Sequence, residues 1–362
     1  MEKCLNNHNK TSTLVLPRKR CGDSDLTLPV LGMGCWAFGG GEYWGDYSQK
    51  EADAAVRCAI EHGCNYFDTA ELYNAGGSES SLGQALKGTP RDQVIIGTKI
   101  SPSNVEPPTL VEHCEASLRR LQTDHIDIYM VHWPITAHSI RHFTTEVKPT
   151  PSPVTAFETL RQLQQAGKIR HIGVSNFSRT KIDEALATGV KIAVNQLPYS
   201  LLSRAIEIDI LPYCRSKNIG VIGYMALWQG VLAGIYPKLE DIPVLQRRTR
   251  HFDFRRNSLI RHGLPGAEAE TASALAAIRA IAQSNHLTMA QISLKWAVAG
   301  EGITCSICSA RSAEKLRENF DALTTPLSPE IVNELNLATQ PLKEALGPSF
   351  DYWQHPDNDR TL

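Results

Sequence analysis

Residues 30–37 read Val30-Leu31-Gly32-Met33-Gly34-Cys35-Trp36-Ala37. A short apolar run of this kind, led by a Pro and closed by small residues, reads as a buried strand. The residues just after it decide the fold. A doubly wound nucleotide-binding sheet needs a G-x-G-x-x-G turn here, so that backbone and helix N-terminus can approach a pyrophosphate. Gly32-Met33-Gly34 runs instead into Cys35-Trp36-Ala37, and the fingerprint is absent.

The pattern then repeats. Further apolar runs are Tyr66–Thr69, Val94–Thr98, Ile126–Val131, Ile172–Val174, Ala193–Gln196, Gly220–Tyr224 and Ile303–Ile307. With Val30–Met33 they make eight, each too short for a buried helix. Amphipathic stretches lie between them. Ser48-x-x-Glu51 and Thr109-x-x-Glu112 have the spacing of capping boxes. Leu110, Cys114, Leu118 and Leu121 line one helix face. Other helices are expected near 78–87, 154–166, 178–187, 204–217, 271–299 and 312–322, and Ser328-Pro329 starts a last one. Eight strand-plus-helix units predict an α/β chain, a (β/α)8 TIM barrel. Residues 13–29 read as an N-terminal β-hairpin turning at Gly22-Asp23 and covering one barrel end. The expected layout is a flexible N-terminus over 1–12, a single barrel domain over 13–340 and a C-terminal tail over 341–362. Two long connections, Trp133–Pro153 and Trp228–Gly266, are where function is expected to gather. The second contains Arg247-Arg248-Thr249-Arg250 and Arg255-Arg256.

Composition narrows the function. Among 362 residues, 37 Lys and Arg stand against 38 Asp and Glu, a net charge of −1. That excludes binding to nucleic acid or acidic lipid by bulk electrostatics. With 42% hydrophobic and 21% charged residues, a long disordered chain is excluded too. The nine cysteines are scattered, and Cys305-x-x-Cys308 is their only short spacing. They form neither a disulfide framework nor a zinc pattern. Reduced, buried thiols and the lack of an N-terminal apolar stretch lead us to expect a cytoplasmic protein. No run of about 18 apolar residues is present to span a membrane. The expected partner is a small molecule.

In a (β/α)8 barrel the chemistry collects at the C-terminal strand ends. Those ends carry Asp68, then Tyr73 just beyond it, Lys99, His132, Ser175-Asn176, Gln196 and Tyr224. Each alone has an ordinary explanation as a cap, a surface residue or a core histidine. Together they suit carbonyl reduction. A hydride acceptor becomes an alkoxide and needs a proton, which a tyrosine can supply if its pKa of about 10 is lowered. A neighbouring ammonium lowers it. Lys99 is the candidate, with Asp68 holding it charged. His132, in its neutral form, would donate to the substrate oxygen.

These residues resemble the aldo-keto reductase superfamily. The resemblance rests on Leu31–Trp36, Asn65–Tyr73, Ile96–Lys99, Asp127–His132, Gly167–Phe177 and Ala310–Asn319, and runs from about residue 13 to 338. It implies a (β/α)8 barrel using NADPH (NADP+), with NADH as the alternative, and a tetrad of Asp68, Tyr73, Lys99 and His132. It further implies that Ser175, Asn176 and Gln196 hold the nicotinamide carboxamide and that Tyr224 stacks on the ring. Cys35, Trp36, Asp68, Met225, Ala226, Leu227 and Gln229 would line the cofactor, the last few on a segment closing over the pyrophosphate. Ser309, Arg311, Lys315, Glu318 and Asn319 would take the adenosine end, with Arg311 and Lys315 on the 2′-phosphate. Trp36, Trp44, Tyr73, His132, Trp133 and Trp228 would line the substrate, which the aromatic rings suggest is a sugar, a polyol or a bulky aldehyde or ketone. No metal is expected. The sequence departs from relatives at Met225-Ala226, where Ser-Pro is frequent, at Cys308-Ser309, where Pro-Gly is frequent, and at Lys315, where glutamine is common. Two other readings remain open: a nucleotide-binding regulatory subunit with little turnover, and a Schiff-base aldolase using Lys99.

Overall fold

All eight apolar runs become strands. In the computed structural model, which describes residues 16–41, 43–146, 149–309 and 312–362, two short antiparallel strands come first, β1 (Arg18–Arg20) and β2 (Thr27–Pro29). The barrel is built from β3 (Leu31–Gly34), β4 (Tyr66–Asp68), β5 (Ile95–Ile100), β6 (Ile126–Val131), β7 (Ile169–Ser175), β8 (Ile192–Pro198), β9 (Gly220–Tyr224) and β10 (Ile303–Cys308). These strands are parallel and close on themselves, with β10 beside β3. The barrel and its hairpin are as expected from the sequence.

The glycines of the opening stretch have a packing role. The Tyr66 ring fills the barrel interior between neighbouring strands. A Cβ on Gly32 would meet its Cδ1 at 2.5 Å, and one on Gly97 would meet its hydroxyl at 2.7 Å. Both positions therefore need glycine for close approach, not for a phosphate. The hairpin plugs the N-terminal end: Cys21, Leu26 and Leu28 pack against Tyr66, Ile128 and Ile222 inside the barrel. The Asp23 amide donates to the Asn218 carbonyl just before β9. The opposite, C-terminal end is left for the site.

The helices depart from expectation at three places. The box at Ser48 and Glu51 forms as read. Thr109 caps nothing: its helix begins at Pro107, because two prolines suit the first turn, where no N–H is needed. The stretch 271–299 divides into Glu268–Ser284 and Met289–Ala299. His286 turns left-handed between them (φ 54°), and Thr288 with Gln291 builds a capping box for the second helix. The stretch 204–217 divides likewise, into a turn at Ala205–Glu207 and a helix at Ile210–Ser216.

The last helix, Pro329–Leu346, runs through residue 340. The chain after it folds back onto the barrel mouth. The buried Tyr352 accepts from the Arg250 amide through its carbonyl and from the Ala205 amide through its hydroxyl. Asp351 and Arg360, both buried, form a two-pronged ion pair, and the Arg360 guanidinium lies 4.0 Å from the Trp133 ring centroid. No described helix is long and apolar enough to cross a membrane.

Candidate active site

Strand register sets the site. Gly34, Asp68 and Gly97 are neighbours across β3, β4 and β5, and Lys99 lies beside Met130 of β6. Asp68 and Lys99 therefore point inward near the mouth. Tyr73 enters from a turn after β4, where Asn74 and Ala75 are left-handed (φ 52° and 51°) and the Asn74 amide donates to the Phe38 carbonyl at 2.7 Å. Asn tolerates that backbone best among non-glycine residues, so the sequence pins the tyrosine where the chain must turn.

The four side chains meet. Lys99 is wholly buried and uses its three protons fully. It donates to Asp68 Oδ1 at 2.6 Å, to the Thr69 carbonyl at 2.8 Å and to Tyr73 Oη at 3.4 Å. The rings of Tyr73 and His132 cross edge-on with centroids 5.7 Å apart. Asp68 Oδ2 accepts from Tyr66 at 3.1 Å and from Gln196 Nε2 at 2.6 Å. Tyr66 is absent from the set expected on sequence, although it lies two residues from Asp68 on one strand and so shares its face.

Electrostatics follow burial. For Lys99, burial opposes the charge, but Asp68 and then Tyr73 more than offset it, and its pKa rises above the usual lysine value. Burial pushes the Tyr73 phenol above its ordinary value, with Lys99 opposing. The expected net lowering is therefore not found in the free chain, because desolvating a phenolate costs more than the ammonium returns. His132 is held well below its ordinary value by burial, then by Lys99 and His142, so it is neutral as expected. Its Nδ1 is buried without a partner among the described residues.

Three adjacent strand ends carry the amide cluster. Ser175 and Gln196 are register partners, and Tyr224 sits across from Pro198. Asn176, left-handed at φ 62°, donates to the His132 carbonyl at 3.2 Å and to Ser175 Oγ at 3.1 Å, and accepts from the Tyr224 hydroxyl at 2.8 Å. Gln196 Oε1 has no hydrogen-bond partner among the described residues.

The other expected contacts divide. Trp36 stacks on Tyr43 (4.8 Å) and meets Trp44 edge-on (5.2 Å), and its ring lies 5.7 Å from Tyr73. These rings form one wall of the mouth. Phe143, on the long loop after β6, faces His132 at 6.2 Å, and nothing in its local sequence marks it for that place. Trp228 is enclosed rather than open at the mouth. It is 1% exposed, donates to Ser203 and packs on His251 and Phe252, so it offers a substrate no free face. Trp133 is covered by Arg360. Cys35 and Ala226 are buried, and the Cys35 amide and carbonyl are bonded to Asp68 and Ser78. Met225 and Gln229 are left-handed (φ 64° and 55°) around the partly buried Leu227, and Gln229 accepts from Tyr43 at 2.7 Å. At the far end Ser309 is exposed, Lys315 pairs with Glu318 at 2.8 Å, and Asn319 is buried against Cys308. Arg311 lies outside the described residues.

The chain is similar to proteins of known kind. A model of the Aldo/keto reductase family matches residues 30–339. An NADH-specific methylglyoxal reductase of Escherichia coli is 32% identical over 326 residues, covering 85% of this chain and 93% of that protein. An aldo-keto reductase of Schizosaccharomyces pombe, named with NADP(+), is 30% identical over 340 residues, covering 89% and 91%. The crystal structure of an aldo/keto reductase from Klebsiella pneumoniae in complex with NADP and acetate superposes with a TM-score of 0.66 at 29% identity, covering 89% of this chain and 95% of that one. A closed barrel with this match along most of its length belongs to the aldo/keto reductase family of oxidoreductases.

Proposed function

We propose that the chain reduces an aldehyde or ketone at the expense of NADPH, with NADH as the alternative donor, and that Tyr73 delivers the proton. One observation carries the reading: in the barrel mouth, a buried ammonium already charged by Asp68 reaches the Tyr73 hydroxyl at 3.4 Å, with His132 across from it. The cofactor fits the donor set. A carboxamide needs an acceptor and a donor side by side: Gln196 Oε1 is the open acceptor, and Asn176 Nδ2, which donates to the His132 carbonyl and Ser175 Oγ in the free chain, would turn one of those bonds to the carboxamide oxygen. Tyr224 would lie against the ring. The cofactor supplies the hydride. Tyr73 protonates the forming alkoxide, and Lys99 stabilises the phenolate left behind. Neutral His132 orients the carbonyl oxygen. Trp36, Tyr43 and Trp44 offer ring faces to a sugar or planar carbonyl.

The same ion pair weighs against a Schiff-base aldolase, since a nucleophilic amine must be unprotonated. The test is Tyr73→Phe, assayed by NADPH oxidation against a carbonyl panel and by cofactor titration. Turnover is expected to fall by about 100-fold or more, as for loss of a general acid, while the Kd values of NADPH and NADH stay within about 2-fold. An unchanged kcat removes Tyr73 from this role. A wild-type chain that binds NADPH and reduces nothing makes it a regulatory subunit.

A further inference from the structure

The loop Trp228–Gly266 carries six arginines, and their partners divide them. Arg255 pairs with Asp253, and Arg256 with Glu268 and Glu240. Arg250 donates to the Leu346 and Ser349 carbonyls. Arg247, Arg248 and Arg261 meet no carboxylate among the described residues. Arg248 donates to the Leu245 carbonyl and holds its guanidinium 5.3 Å from the Tyr43 ring centroid. Arg261 Nη1 donates to His142 Nδ1 at 2.7 Å. That imidazole must be unprotonated at Nδ1 to accept. Burial, then Arg360 and Arg261, depress His142 to about 4, so it is a neutral partner that leaves the arginine's charge unspent. Arg247 Nε and Trp44 Nε1 are also buried donors without acceptors among the described residues.

Both arginines stand at the mouth. Arg248 lies over Tyr43, which stacks on Trp36, which adjoins Tyr73. Arg261 holds His142, which meets Phe143 at 5.1 Å, which adjoins His132. The two charges thus each sit two ring contacts out from the tetrad, one on the Tyr73 side and one on the His132 side. Asp351, an acid that acts on that imidazole, is taken up by Arg360.

We propose that Arg248 and Arg261 form an anion subsite at the rim, which takes the carboxylate or phosphate of a substrate whose carbonyl lies between Tyr73 and His132. This rests on the carbonyl-reductase reading of the same mouth. Guanidinium forks match carboxylate and phosphate oxygens, and two guanidiniums with no carboxylate partner among the described residues, beside an aromatic wall, favour an anion with a carbon skeleton. The substrate class is an aldehyde or ketone bearing an anionic group some carbons from the carbonyl. Hydride adds to the carbonyl carbon and the Tyr73 proton to its oxygen. The product is a hydroxy acid or hydroxy phosphate, and the anionic group is unchanged.

The test uses the full chain and matched substrate pairs: 4-carboxybenzaldehyde against benzaldehyde, and glyceraldehyde 3-phosphate against glyceraldehyde. Arg248→Ala/Arg261→Ala is expected to lower kcat/KM for the charged member by roughly 10–100-fold, through KM, the usual cost of losing charged hydrogen bonds. The neutral member and the NADPH Kd are expected to stay within about 3-fold. Arg248→Lys/Arg261→Lys should recover part of the loss, and in the wild type added salt should raise KM for the charged member alone. Whichever pair discriminates names the anion. Equal losses on charged and neutral members overturn the proposal. So does a loss of NADPH affinity as large as the loss on the charged carbonyl, which would assign the arginines to cofactor phosphates. If the wild type reduces no carbonyl, the reductase reading fails separately. Calorimetric titration with 4-carboxybenzoate and inorganic phosphate then decides the subsite, and no binding to the wild type rejects it.

Discussion

Replacing Lys99 by Met keeps the apolar stem and removes every interaction of the ammonium. Those are the bonds to Asp68 at 2.6 Å, the Thr69 carbonyl at 2.8 Å and Tyr73 at 3.4 Å. Asp68, 4% exposed, is left with two neutral donors, Tyr66 and Gln196, and no opposite charge. Taking one partner from a buried ion pair costs about 3–5 kcal/mol, and the orphaned Thr69 carbonyl is part of that figure. Asp68→Asn/Lys99→Met leaves no lone charge and is expected to recover about 1–4 kcal/mol of it. Urea unfolding, followed by tryptophan fluorescence and far-UV circular dichroism, measures both. Turnover is expected to part company with stability: it falls about 100-fold or more in the single variant and does not return in the double. A single variant that loses less than about 1 kcal/mol, or a double no more stable than the single, refutes the counter-charge argument. A double variant that regains turnover refutes the part given to Lys99 in proton delivery.

With Tyr73 as the proposed proton donor, reduction needs a protonated phenol. Burial raises the Tyr73 pKa above 10.0, which moves the alkaline loss of activity to higher pH. His132 is depressed well below 6.5 and does not change charge in the neutral range. The expected kcat/KM for reduction is therefore level from about pH 7 to pH 9, since this parameter reports groups of the free chain. A fall centred inside that interval would point to another donor. Trp228→Phe removes the bond to the buried Ser203 hydroxyl. It is expected to cost about 1–3 kcal/mol of stability and to leave KM within about 2-fold. A large KM change at unchanged stability would return Trp228 to the substrate wall.

The barrel was legible because buried parallel strands are short, continuous and apolar, and eight of them separated by helical periods admit few topologies. That Asp68, Lys99 and His132 share one mouth was legible for the same reason, since a barrel brings its strand ends together and each of the three is a polar residue at a strand end. Local rules carried less far. Thr109 has the spacing of a cap, yet Pro107 starts the helix two residues earlier. The break at His286 was present in the sequence as Thr288-x-x-Gln291, but the continuous amphipathic period from 271 to 299 masked it.

Burial of individual side chains came only with the tertiary structure. Trp36 and Trp228 look alike as aromatics on loops after strands, but one lines the mouth and the other is sealed beneath its loop. Whether an ammonium acidifies a phenol depends on how much water both have lost, and Tyr73 with Lys99 shows desolvation winning. Six arginines in one loop are equivalent as letters. Which of them meets a carboxylate among the described residues is decided by what folding brings beside it, and for Arg261 the partner is an imidazole 119 residues away. Strand period and the polar residue ending each strand are local properties, which a chain carries in its order of residues. Partners and solvent exposure are properties of the packed whole.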